Sequence, residues 1–219
     1  MNCTLPATLP AGIDQIAALF VMERGPYFGL DGVDPWPESR DARLYRGPWP
    51  VVAHPDCARW GKLWAGTTPT NPVRRELGDD GGCFAFALEA IQRWGGVLEH
   101  PAHSRAWATF GLKAPSRPDC WTVACHDRAL WTCVVEQGWY GHKARKPTWL
   151  LACRTDLPSL RWGRSPQQTD RLREGQSEEE RRRAIRTGIV QRMSARQRAA
   201  TPDAFRDLLI SLARSVKQR

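Results

Sequence analysis

Four short apolar runs constrain this chain more than any other feature: IAALFV (16–21), PVVA (50–53), GGVLE (95–99) and PTWLLAC (147–153). None is long enough for an ordinary helix, and all are bounded by turn-forming or polar residues, as buried strands are. Between the second and third runs, CFAFALEAIQRWGG (83–96) places Phe84, Ala87, Leu88, Ile91 and Trp94 at helical spacing and stops at two glycines. Strand, helix, strand, with polar residues where strands end, is the pattern of an open α/β sheet, whose ligands bind at the carboxyl ends of its strands. CWTVACHD (120–127) and LWTCVVEQGWYGH (130–142) alternate like the arms of a hairpin. By contrast, MERGPYFGLDGVDPWPESRDARLY (22–45) is rich in Gly, Pro and Asp and reads as turns, and WAGTTPTNPVRRELGDDGG (64–82) as a polar loop.

From Pro166 onward the pattern becomes charged helix. Ser177 followed by Glu180 predicts a capping box, and the last segment, TPDAFRDLLISLARSVKQR (201–219), predicts a helix capped by Thr201 with Phe205, Leu208, Leu209 and Leu212 on one face. The expected organisation is therefore an α/β core over 1–163 and a basic helical region over 164–219 that packs back on it. The 219 residues carry a formal charge of +9, and Arg181, Arg182 and Arg183 concentrate that surplus late in the chain. An anionic partner, nucleic acid or nucleotide, is expected; the alternative is a solvated helix face balanced by Glu178 to Glu180.

Seven cysteines at irregular spacings, with no secretory leader pattern at the start, predict reduced thiols and a cytoplasmic setting. No apolar stretch approaches the ~18 to 20 residues that span a bilayer, so no membrane partner is expected.

Three strand ends carry the residues suited to chemistry: AHPDC (53–57), LEHPAHS (98–104) and YGHKARK (140–146). If each follows a strand of one sheet, Cys57, Glu99, His100 and Arg145 converge over one crevice. Cys57 is then either a nucleophile or a small packed side chain, and Glu99 either a site acid or a structural ion-pair partner. His54, Asp56, His100, His142 and Lys146 are the candidate substrate or nucleic-acid contacts beside them. No CxxC or HExxH spacing exists, so no metal is expected. Trp60, Trp64 and Trp107 are either core anchors or base-stacking platforms.

The order of these signals resembles the cytosine-5 DNA methyltransferases, which have a class I methyltransferase, Rossmann-like fold. HPDC matches that family's strand leading to a Pro-Cys pair, LEHP its strand ending in Glu-Asn-Val, YGHKARKPTWLLA its later arginine-bearing motif, and RMSARQRAATPDAF (192–205) its closing segment. The resemblance implies that Cys57 attacks C6 of a flipped base, that Glu99 protonates the ring N3, and that Arg145 anchors the base carbonyl or a phosphate. It further implies S-adenosylmethionine as cofactor, for which Asp34, as the acidic ribose ligand, and Gly25 are the available residues. The chain departs from the family pattern at Asp56, which stands where the family has proline, at His100-Pro101 in place of Asn-Val, and in lacking a glycine-rich loop after IAALFV. The VVAHP, GGVLEHP and YGHKARKPTWL blocks also resemble small bacteriophage-encoded proteins, which places the expected activity in the cytoplasm of a bacterial host. Two other classes stay open: a non-catalytic nucleic-acid-binding or host-interaction protein on the same sheet, and an enzyme using another donor or acting on free nucleotides.

Overall fold

The computed structural model describes residues 15–62, 64–65, 75–167, 177–186 and 195–217. In chain order these form β1 (Ile16–Val21), β2 (Val33–Pro37), β3 (Val51–Ala53), α1 (Cys83–Trp94), β4 (Gly96–Pro101), α2 (Ala106–Thr109), β5 (Thr122–Cys125), β6 (Leu130–Glu136), β7 (Pro147–Cys153), α3 (Glu178–Arg186), α4 (Ala195–Ala199) and α5 (Asp203–Arg214). A 3₁₀ turn, Gln137–Tyr140, joins β6 to β7. The protein is a mixed α/β structure built on one seven-stranded sheet, ordered β2-β1-β3-β4-β7-β6-β5. β2, β1, β3 and β4 run parallel, while β7, β6 and β5 continue the sheet antiparallel.

Strand pleating divides the core into two layers. Ala17, Leu19, Val51, Ala53, Leu98 and Leu151 face α1, with Phe84, Leu88, Ile91 and Trp107 packed over them. Ile16, Ala18, Val52, Val97, Cys133 and Leu150 face the other way, onto Phe205, Leu209 and Leu212 of α5. The central strands are thus buried on both faces, which is why their sequences are continuously apolar rather than alternating. Gly96 is dictated by this packing: at φ +126° it crosses β3 so closely that a Cβ would overlap the Val51 carbonyl.

Two sequence expectations need correcting. The 22–45 stretch is not turns alone, since it contains β2. That strand holds Pro35 and Pro37, and it lies at the sheet edge, where a missing N–H costs no ladder bond. Nor does Thr201 cap the last helix; Pro202 is the residue before its first turn, with no side-chain cap. The capping box does form, with Ser177 N–H donating to Glu180 (2.8 Å) and Glu180 N–H to Ser177 Oγ (3.2 Å).

No helix connects β1 to β2; residues 22–32 are turns, and Tyr27 from this link is buried against the α5 side of the sheet. α5 covers that face instead, tied to the link by Arg206 donating to the Pro26 carbonyl (3.0 Å) and Arg214 to that of Asp31 (3.1 Å).

Candidate functional site

From β1 the chain moves outward to β2 on one side, and from β3 to β4 on the other, so a crevice opens at the carboxyl ends of β1 and β3. His54, the first residue after β3, fills it. Its Nδ1 lies 3.0 Å from Glu99 Oε2 on β4, and its Nε2 lies 2.8 Å from the Tyr27 hydroxyl, whose loop follows β1. Gln137, at the end of β6, donates through Nε2 to Glu99 Oε1 (3.1 Å) and to Thr148 Oγ (3.0 Å). β7 runs antiparallel to β4, so its first residues reach the same edge and Thr148 pairs with Pro101. Five separate segments are therefore joined in one hydrogen-bonded chain that passes through the Glu99 carboxylate.

The proton positions follow from burial. Tyr27 is 1% exposed, and desolvation, with the Glu99 charge adding, pushes its phenol well above the ordinary value. It stays an O–H donor, and the acceptor is His54 Nε2. The imidazole proton is then on Nδ1 and donated to Glu99. Burial pushes the Glu99 carboxyl up, but the hydrogen bond from His54, with the Lys146 charge, outweighs it and holds the group below the usual carboxylate range. Glu99 is an ionised acceptor with both oxygens partly engaged and a side chain 12% exposed. Gln137 Oε1 is a buried acceptor with no partner.

Lys146 stands on the next side. Burial lowers its ammonium, the charge of Glu99 opposes that, and Nζ donates to the Ala200 carbonyl (3.0 Å). Cys57 senses the same carboxylate. Desolvation, then Glu99 and Asp56, push its thiol above the ordinary value despite its exposed position, so it rests protonated.

His100 points away from Glu99, because consecutive strand residues face opposite sides. It is fully buried on the α1 side, 2.7 Å from Ser104 Oγ, edge-on to Phe84 and stacked near Trp107; burial holds it below the imidazole range, hence neutral. It forms a wall of a cleft of about 450 Å³ lined also by Cys57, Trp60, Lys62, His103 and Arg105. Cys57 sits where this cleft meets the Glu99 network.

Of the residues singled out from sequence, Cys57, Glu99, His54 and Lys146 come together. Arg145 does not join them: its Nε donates to the Gln167 carbonyl (2.7 Å) and lies 4.0 Å from Glu136. His142 is buried with Nδ1 against the Ala144 backbone, and the Asp56 side chain caps the Ala58 N–H (3.1 Å). Asp34 is bound to Arg40 (2.6 Å) and accepts from Trp36 Nε1 (2.7 Å). Gly25 closes a turn onto the Met22 carbonyl (2.9 Å). Trp60 and Trp107 are core residues rather than stacking platforms, 3% and 1% exposed. Arg181, Arg182 and Arg183 are exposed on α3, and Arg182 pairs with Glu178. Residues 192–194 of the closing segment and 66–74 of the polar loop lie outside the described residues. Tyr27, Gln137 and Thr148 were missed; Gln137 obeys the same strand-end rule as Glu99, whereas nothing local marks Tyr27.

Among the described residues no group of three His, Cys, Asp or Glu side chains is placed to hold a metal ion, and no helix is long and apolar enough to cross a membrane. Searches of family models, curated proteins and solved structures each find no match.

Proposed function

We propose that the protein binds a pyrimidine nucleotide, free or within DNA, at the carboxyl edge of β3 and β4 and activates its ring through Cys57. The observation that carries this reading is the Glu99 carboxylate, fixed at the end of β4 by His54 and Gln137, with Cys57 in the turn after the neighbouring strand β3 and Lys146 directly before β7. The scaffold supports it: β2-β1-β3-β4 is the parallel order of a doubly wound, Rossmann-like sheet, which takes its ligands at this edge. In that chemistry the Cys57 thiol gives its proton to solvent, Sγ bonds to C6, the C5–C6 π pair moves to C5 as a stabilised carbanion, and C5 takes a proton back from solvent. Glu99, held ionised, is an acceptor for the exocyclic amine of cytosine, and Lys146 offsets the charge gathering on the ring.

The residues assigned to S-adenosylmethionine do not fit it. Both Asp34 oxygens are engaged, by Arg40 and Trp36, and Gly25 lies in a link without a helix whose N-terminus would receive an anionic group. The proposed chemistry therefore ends at ring activation.

The test needs no methyl donor. In D₂O, addition of Sγ to C6, deuteration at C5, and loss of the C5 proton with Sγ exchange the C5 hydrogen, which NMR reads directly. The expected result is exchange that disappears in Cys57→Ala; no exchange with cytosine or uracil nucleotides, free or in oligonucleotides, overturns the reading.

One observation favours a second reading: the Cys57 thiol is pushed up, not down. In a non-catalytic nucleic-acid-binding protein, Cys57→Ser is silent, while charge reversal at Arg181 to Arg183 removes a steeply salt-dependent binding.

A further inference from the structure

The cleft on the α1 side of the sheet has a chemistry separate from the Glu99 network. Its inner surface is rigid. His100 is fixed by Ser104, Trp60 donates its indole N–H to Asp80 (2.8 Å), and Ser104 Oγ also accepts the Ala106 N–H (3.1 Å). Its rim is cationic. The Arg105 N–H donates to the Trp60 carbonyl (2.9 Å), clamping the turn after β4 onto the turn that follows Cys57. Lys62, two residues past Trp60, and Arg105 are thereby held on one lip, both exposed, with His103 beside them. Among the described residues no carboxylate lines the cleft, and neither Lys62 nor Arg105 pairs with an acidic side chain. Arg105 is therefore unlike Arg40, Arg43, Arg117, Arg182 and Arg206, each of which lies on a carboxylate.

A cavity of ≈ 450 Å³ lies within the ~300 to 1,000 Å³ of small-ligand sites. Two unpaired cations over a rigid floor suit a phosphate, which takes a guanidinium bidentately and an ammonium as a point charge.

We propose that this cleft is a phosphate subsite, in which Lys62 and Arg105 grip the phosphate of a nucleotide that passes over Cys57 and lays its base against Glu99. This rests on the pyrimidine reading above for the base, but not for the phosphate. The ligand bends over the edge of β4, whose consecutive residues Glu99 and His100 serve opposite faces.

The experiment is calorimetric titration of the full chain with deoxycytidine 5′-monophosphate, deoxycytidine, ribose 5-phosphate and a short single-stranded oligonucleotide containing one cytosine. Wild type, Lys62→Gln, Arg105→Gln and the double variant are compared, with circular dichroism confirming that the fold is intact. The subsite predicts that the nucleotide binds at least about tenfold tighter than the nucleoside. Each variant brings nucleotide affinity toward that of the nucleoside, whose own affinity stays unchanged. If only the oligonucleotide binds, and the double variant removes that binding, the subsite stands and its phosphate comes from a strand. Ribose 5-phosphate binding lost in the double variant, with no preference for the base, keeps the subsite and sinks the pyrimidine reading. Equal binding of nucleotide and nucleoside, or nucleotide and oligonucleotide affinities unmoved in the double variant, overturns the proposal.

Discussion

The ends of β3 and β4 and the ends of β1 and β2 lie on one edge of the same sheet, yet they are built differently. Around β1 and β2 the polar groups satisfy one another near solvent: Arg40, after β2, is held by Asp34 from that strand's second position, with side chains 45% and 38% exposed, and Glu23 accepts from Ser39. Around β3 and β4 the polar groups are 12% and 13% exposed and belong to one chain running from Tyr27 through His54 and Glu99 to Gln137 and Thr148. An exposed pair stabilises little and leaves nothing for a ligand, whereas a buried, multiply bonded carboxylate is fixed in place and keeps its charge. The β3–β4 end thus presents a fixed, charged acceptor, while the polar groups beside β1 and β2 are spent on one another.

Substitutions across the two regions test that contrast. The largest effect is expected at Cys57→Ala and Glu99→Gln, each lowering C5 hydrogen exchange by at least about 100-fold with the fold intact; comparable exchange in either variant would dissolve the distinction. Next comes Tyr27→Phe, which leaves His54 Nε2 buried without its donor and is expected to cost about 1 to 2 kcal/mol in denaturant unfolding. An unchanged midpoint would show that the chain of hydrogen bonds fixes nothing.

The same carboxylate shapes two pH dependences. Because the folded state holds the Glu99 pKa below its ordinary value, Glu99 contributes stability that is fully present above the unfolded pKa, about 4.3, and is lost as pH falls through the lower folded value. Acid unfolding of Glu99→Gln should lack that limb. Because Glu99 also pushes the Cys57 thiol up, second to desolvation, removing its charge should move the alkylation profile of Cys57 to lower pH without restoring an ordinary thiol. The smallest effect is expected at Asp34→Ala: a loss of at most about 1 kcal/mol and no change in nucleotide binding. Saturable S-adenosylmethionine binding that disappears in this variant would break the comparison by giving the β1–β2 end a ligand.

Much of the fold was legible because β1, β3, β4 and β7 are apolar runs whose burial on both faces removes any ambiguity of period. β2 was not, since an edge strand tolerates Pro35 and Pro37 and therefore resembles a turn. In the site, strand ends located Cys57, His54 and Glu99. Grouping His100 with Glu99 against one ligand overlooked the pleat, which turns neighbours to opposite faces. Arg145 and Lys146 are adjacent in sequence, yet Arg145 turns to the Gln167 carbonyl while the Lys146 charge acts on Glu99, a difference set by the direction in which each side chain leaves the backbone. Tyr27 lies in a glycine- and proline-rich link, and its role depends on α5 closing over that link from the far end of the chain.

The most direct measurement is peptide-resolved alkylation of the full chain with iodoacetamide, with and without saturating deoxycytidine 5′-monophosphate or a cytosine-containing oligonucleotide. Cys125, half-buried beside Arg128 at 3.1 Å, serves as the internal control. A ligand seated at the ends of β3 and β4 slows modification of Cys57 and leaves Cys125 unchanged. Equal rates at Cys57 with and without either ligand would contradict a nucleotide site at this edge.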